Sequence, residues 1–355
     1  MKILILGGTG FLGREAAISF FKRGDKVSVF SRGRSPADLP PGINRLYGDR
    51  RRVSDLKKAA DGNFDVVLDN IGFSGSDAEA AAGAFRGKTG IYFFISASAV
   101  YSMLRGARPP YAESDAEKFG LKKMTGDPRE SGYAAGKLEA ERILGRRLGC
   151  VSFRLPAVVG PGDPSLRAHS YWLRIKDGGP LLLPGKAFLK RSFFYYRDLF
   201  SAVRSVLESG KDPRGRVFNL ADDRPLSLAG FVRLSAGFSG ASTKIIRLKD
   251  GEPAKFGLAA PGAFPYSNWE YPDYRDYLSC KEFKRSFSWK SSDIAQWLPA
   301  SLLWFMRKYK GPLPPNYRYR REELTAALDI LRRGRSRSGK SALPLFRAGG
   351  KGEAV

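Results

Sequence analysis

Two short stretches of this 355-residue chain hold residue types at spacings that could do chemistry. The first is Gly7-Gly8-Thr9-Gly10-Phe11-Leu12-Gly13, with glycines three apart. Such a run lets the backbone turn tightly at Gly7, approach an anion at Gly10 and pack closely at Gly13. Placed between a strand and a helix, it cradles a pyrophosphate on free helix N–H groups. Gly7, Thr9, Gly10, Phe11, Leu12 and Gly13 are therefore the candidate ligands of a dinucleotide such as NAD or NADP. The second stretch is Tyr133-Ala134-Ala135-Gly136-Lys137, which puts a phenol and an ammonium on one helical face, about one turn apart. A phenol of pKa ~10 serves as a base near neutrality only if a nearby cation favours the phenolate.

At the end of the second strand, an NAD enzyme usually carries an Asp or Glu for the adenosine ribose. Here the residues are Ser31-Arg32-Gly33-Arg34. A guanidinium at Arg32 or Arg34 suits a ribose 2′-phosphate, so NADP is favoured over NAD.

The elements that must position these groups follow from periodicity. Lys2 to Leu6 is a short apolar strand and Arg14 to Arg23 has helical spacing. Strands are expected at Lys26–Phe30, Asn44–Tyr47, Asp65–Asp69, Gly90–Ser96 and Val151–Leu155, with helices at Val53–Ala60, Asp77–Phe85 and Tyr133–Leu148. Strands alternating with helices predict an α/β fold, a Rossmann-type doubly wound parallel sheet. Beyond about Gly160 the pattern loosens, with a helix at Arg197–Leu207, a strand at Arg216–Leu220 and a last helix at Arg321–Arg333. The expected organisation is a nucleotide-binding domain over 1–165, to which 197–235 returns. A smaller, less regular substrate-binding region covers 166–330, and a disordered basic tail covers 331–355.

Composition narrows the setting. Only two cysteines occur, Cys150 and Cys280; they are too few for a disulfide framework and too far apart for a zinc knuckle, which fits a reducing cytoplasm. The lone histidine, His169, cannot build a metal site and is read as a packing residue ahead of a substrate contact. No segment reaches the ~18 consecutive apolar residues of a membrane span. The aromatic stretch Trp297 to Trp304 could lie on a membrane surface beside Arg307, Lys308 and Lys310, but a helix packed on the protein is the simpler reading. The formal charge of +26 favours anionic partners, nucleotides or nucleic acid among them, without choosing between them.

With the glycine turn and the Tyr-x-x-x-Lys pair together, the chain resembles the extended short-chain dehydrogenase/reductases of the NAD-dependent epimerase/dehydratase family. Further stretches carry the likeness: Gly48-Asp49-Arg50, Asp69-Asn70-Ile71-Gly72, Val100-Tyr101, Arg154-Leu155-Pro156 through Gly162, and Arg191 through Leu199. The resemblance implies that Asp49 and Arg50 lie at the adenine and that Ile71, Gly72 and Pro156 line the cofactor. It implies that Tyr101 and Arg191 contact a nucleotide-sugar substrate, Arg191 through its diphosphate. Tyr133 would be the general acid/base toward a substrate hydroxyl or carbonyl, with Lys137 on the nicotinamide ribose. A homodimer through the Tyr133–Leu148 helix is also implied.

One position departs from the family. The Ser or Thr that normally binds the reacting oxygen is Ala97 here. Ser96 and Ser98 flank it, yet in an extended strand both point away from the face of residue 97. A local twist would have to re-aim one of them. Three readings follow: an active NADP-dependent reductase, epimerase or dehydratase; a nucleotide-sensing protein without turnover; and an RNA-associated protein, since some chloroplast relatives of this fold bind RNA.

Overall fold

The computed structural model describes residues 1–34, 38–119, 128–249, 252–258 and 277–337. Along the chain run β1 (Lys2–Leu6), α1 (Phe11–Lys22), β2 (Lys26–Ser31), β3 (Asn44–Tyr47), α2 (Val53–Ala60), β4 (Phe64–Asp69), α3 (Gly75–Phe85), β5 (Thr89–Ala97), α4 (Asp115–Lys118), α5 (Pro128–Leu148), β6 (Val151–Leu155) and β7 (Ala157–Val159). Then come α6 (Arg167–Lys176), β8 (Leu181–Pro184), β9 (Lys190–Arg191), β10 (Phe193–Tyr195), α7 (Asp198–Glu208), β11 (Val217–Asn219), β12 (Leu226–Ser227), α8 (Leu228–Ser239), β13 (Ile245–Leu248), α9 (Glu252–Lys255), α10 (Lys281–Phe287), α11 (Ile294–Lys308) and α12 (Arg320–Arg337).

Seven strands form one parallel sheet in the order β11-β6-β5-β4-β1-β2-β3. Strand order reverses between β1 and β4, and in such sheets that switch point opens a crevice at the strands' C-terminal ends. The apolar runs read as strands are continuous because both faces are covered. Ile3 and Ile5 of β1 join one core, with α1 and α7 residues, whereas Leu4 and Leu6 join the other, with α2, α3 and α5 residues. Phe93 and Ile95 against Tyr92 and Phe94 repeat the alternation in β5.

The looser half is more helical than its periodicity suggests. Helices α6, α8 and α11 pack through Trp172, Phe231 and Phe305, and bulky aromatics blur the aliphatic spacing that marks a helix. His169 lies 4.9 Å from Phe305 and from Tyr309, between ring centres, and is buried. Burial pushes its imidazole down to about 4. Trp297, Leu298, Leu302 and Phe305 face this core, so the stretch considered for a membrane surface packs inward. No described helix is long and apolar enough to cross a membrane. The last helix continues to Arg337, four residues past its expected end and into the stretch read as disordered tail. It is anchored by a buried Arg174–Glu323 ion pair and by Arg320 on Asp177. The remaining tail, 338–355, lies outside the described residues.

Candidate functional site

The glycine turn sits where β1 hands over to α1, at the switch point. Gly7 has φ +83°, a backbone state that disfavours any side chain. A Cβ on Gly13 would meet the carbonyl oxygen of Gly7 at 2.4 Å, so only glycine lets helix and turn close together. A Cβ on Gly10 would meet nothing within 4 Å, which leaves that backbone open to the crevice. No side chain caps the N-terminus of α1 and its first turn carries no acid, so its N–H groups are available to an anion.

Two cavities meet at this turn and share Gly7, Thr9, Ile71 and Phe73 in their walls. One, of about 380 Å³, runs over the ends of β2 and β3 and is walled by Arg32, Arg34, Asp49, Arg50 and Arg51. Arg32 and Arg34 are exposed. Arg51 pairs with Asp49 at 2.8 Å and holds that carboxyl well below the usual range. The other cavity, of about 820 Å³, reaches Phe11, Leu12, Pro156, Tyr133, Lys137 and Ser98. Together they form one trough, basic at one end and bearing the phenol and ammonium at the other.

Lys137 is tightly held in the trough. Its Nζ donates to the carbonyls of Gly72 at 2.7 Å and Ile95 at 2.6 Å. It lies 4.8 Å from the ring centres of Phe73 and Phe94 and 5.8 Å from that of Tyr133. Two carbonyls take two of its three N–H donors, and one remains for a ligand. Burial pushes the amine down to about 8, against the opposing pull of Asp69. The close approach needs Gly136, whose Cβ would meet the Phe73 carbonyl oxygen at 2.3 Å. Tyr133 itself is 39% exposed on the trough wall.

A model of the NAD dependent epimerase/dehydratase family matches residues 3–221. The chain belongs to this family. Among curated proteins it is 28% identical over 306 residues, 81% of this chain and 75% of the other, to "Chloroplast stem-loop binding protein of 41 kDa b, chloroplastic" of Arabidopsis thaliana. It is 26% identical over 233 residues, 64% of this chain and 63% of the other, to 2'-dehydrokanamycin reductase of Streptomyces kanamyceticus. Similar solved structures include dTDP-glucose 4,6-dehydratase of Bacillus anthracis in complex with NAD, at TM-score 0.67 and 17% identity over 87% of this chain and 97% of that one. UDP-glucuronic acid 4-epimerase of Bacillus cereus, in complex with UDP-glucuronic acid and NAD, follows at TM-score 0.65 and 18% identity over 87% and 100%. At these identities the last two are likenesses of fold.

Within the family's frame, the structure gathers most of the expected residues around the trough, commits two of them there to internal partners, Arg50 and Ser96, and buries Tyr101 and Arg191 off both cavity walls. Arg50 is buried, and its guanidinium is committed to Asp69 at 2.8 and 2.9 Å and to the Asp77 carbonyl, so it braces the cavity floor instead of reaching outward. Tyr101, read as a substrate contact, is 1% exposed; its hydroxyl donates to Asn219 and accepts from Arg154. Arg191 is buried in β9 and is not among the residues lining either cavity. The cation on the trough wall in that region is Arg167, at the start of α6 beside Ser165. Ser96 lines the larger cavity, but its hydroxyl is committed to Glu141 as a donor. Ser98 differs, because β5 ends at Ala97 and a 3-10 turn begins there, breaking the strand alternation that would have pointed it away. It lines the larger cavity, as does Ala97.

Sequence reading missed the role of Asp69, which accepts from Arg50, the Tyr92 hydroxyl and the Ile71 N–H and so shapes the loop that walls both cavities. A carboxylate serving a partner 19 residues away leaves no local pattern. Glu141 and Arg167 were missed as well, although Glu141 is spaced one turn beyond Lys137.

Proposed function

We propose that the protein is an NADP-dependent enzyme of this family, exchanging hydrogen at a hydroxyl or carbonyl of a sugar-type substrate, with nucleotide sugars the first class to test. The observation that supports it most is the single trough with an anion-binding turn in its middle, exposed arginines at one end and the Tyr133–Lys137 pair at the other. The turn fits a pyrophosphate, since Gly10 opens onto space and the α1 N–H groups are uncapped. Arg32 and Arg34 would hold a 2′-phosphate. Bound NADP or NADPH supplies the hydride acceptor or donor. Tyr133 would give or take the proton at the substrate oxygen, and the Lys137 ammonium stabilises negative charge on the phenol and offers its third N–H to the nicotinamide ribose. Ser98 would hold the substrate oxygen in place of the hydroxyl that Ala97 lacks, and Arg167 would meet an anionic group of the substrate. The two free, buried cysteines fit a reducing compartment.

The test is titration with NADPH and NADH by reduced-nicotinamide fluorescence, followed by a panel of nucleotide sugars. Expected is tighter binding of NADPH, with turnover that Tyr133→Phe lowers by about 10²–10⁴-fold while cofactor affinity stays within about twofold. Binding of neither cofactor overturns the reading.

A second reading is RNA association, favoured by the similarity to the Arabidopsis stem-loop binding protein and by the +26 charge. It predicts salt-sensitive retention of a stem-loop RNA that is lost when residues 338–355 are deleted. Indifference to RNA at low salt removes it.

A further inference from the structure

One turn beyond Lys137 on α5, Glu141 is 5% exposed and meets two neighbouring strands at once. Arg154 of β6 grips it through Nε at 3.0 Å and Nη2 at 2.7 Å, and Ser96 of β5 donates its hydroxyl to the same carboxylate. Ser96 and Arg154 are register partners in the sheet, so the carboxylate sits over a fixed pair of strand positions. The residue before Ser96 is Ile95, whose carbonyl receives the Lys137 ammonium. Two successive turns of α5 are thus tied to two successive residues of β5.

We propose that Glu141 is a positioning residue for Lys137: the Ser96–Glu141–Arg154 cluster sets the axial register of α5 on β5, which holds the ammonium on the Gly72 and Ile95 carbonyls and aims its third N–H into the trough. The inference rests on the reading that Lys137 faces a bound nicotinamide nucleotide. A helix advances 1.5 Å per residue, so a slide of one residue misaligns contacts of 2.6 and 2.7 Å, and breaks any that lie along the helix axis. Gly136 packs so near the Phe73 carbonyl that a Cβ there would come within 2.3 Å of its oxygen, which leaves the helix little room to compensate by moving closer to that loop. A buried ion pair is also a poor source of stability, since packed apolar residues of similar size often do as well or better, whereas it is well suited to defining a single geometry. Arg154 extends the fixed point by donating to Tyr101, which donates to Asn219 of β11.

The test compares wild type with Glu141→Gln and with the paired apolar variant Glu141→Leu/Arg154→Met. The single variant leaves Arg154 unpaired and can fail to fold; the paired variant removes both charges and keeps the volume. NADPH affinity is measured at pH 6, where Lys137 is protonated, so that a charge effect on its ionisation does not enter. In parallel, the Lys137 amine is titrated in cofactor-free protein carrying [ε-13C]lysine, its signal identified by loss in Lys137→Met. The charged groups acting on that amine are Asp69, Arg50, Asp77 and Glu141, and Glu141 raises its pKa, so both variants should titrate below the wild-type midpoint near 8. The proposal expects a folded paired variant with NADPH bound at least tenfold more weakly at pH 6 and a broadened or displaced Lys137 resonance. Wild-type affinity at pH 6, or an unchanged resonance with an unchanged midpoint, overturns it. If wild type binds neither NADPH nor NADH, the cofactor reading fails, while the resonance still decides whether Glu141 positions the amine.

Discussion

The two ends of the trough are built on different principles. At the basic end, Arg32 and Arg34 are exposed on a loop after β2, and Asp49 is neutralised by its own neighbour Arg51. At the other end Lys137 is buried, bonded to two carbonyls and backed by a glycine that admits no Cβ. The first end offers charge that a ligand must organise; the second is organised before a ligand arrives. On the proposed function, the basic end would set which dinucleotide is preferred, at modest energetic weight, and the enclosed end would set whether chemistry occurs.

Removing what the two ends share should cost most. Asp69 is fully buried, accepts from Arg50, Tyr92 and the Ile71 N–H, and supports the loop whose Gly72 carbonyl holds Lys137. Arg50 beside it keeps the carboxyl below its ordinary value despite burial. Asp69→Ala removes the main counter-ion of the buried Arg50 guanidinium and leaves it only its Asp77 contacts, so thermal or urea unfolding should show a loss of about 3 kcal/mol. NADPH and NADH affinities should both collapse; loss of one alone would mean that the loop does not couple the ends.

Much of this contrast is legible from residue order, and the reasons are physical. Strands β1, β3 and β6 and helix α2 have the bounds expected from residue order; β1, β6 and α2 carry their pattern within a few residues because they are buried or amphipathic, whereas β3 is a largely exposed edge strand. The glycine turn is legible for the same reason, since strand, turn and helix are contiguous. The place of Tyr101 is not legible, because a tyrosine after a strand looks alike whether it points into a cleft or, as here, stacks on Tyr111 with 4.9 Å between ring centres. The Ser96–Glu141–Arg154 cluster joins residues 45 and 13 positions apart, a relation that only the folded sheet defines.

The basic end is the next place to break. Arg32→Ala/Arg34→Ala should weaken NADPH by about tenfold, consistent with loss of charge-assisted hydrogen bonds at an exposed site, and leave NADH within about twofold. Fluorescence titration of both cofactors decides it. Equal loss for both would mean that the arginines act on the pyrophosphate or on the overall field and not on a 2′-phosphate.

The smallest effect sharpens the enclosed end. Burial lowers Lys137 to about 8, so its ammonium is charged at pH 7 and largely neutral at pH 9. A 2′-phosphate, with its second pKa near ~6, hardly changes charge over that interval. NADPH affinity should therefore fall severalfold from pH 7 to pH 9 with a midpoint near 8, because the ammonium loses both its charge and a donor as pH rises. Lys137→Met should bind more weakly throughout and show no such midpoint. A midpoint that survives in Lys137→Met would assign the titration to another group and leave the enclosed end's charge without a role in cofactor binding.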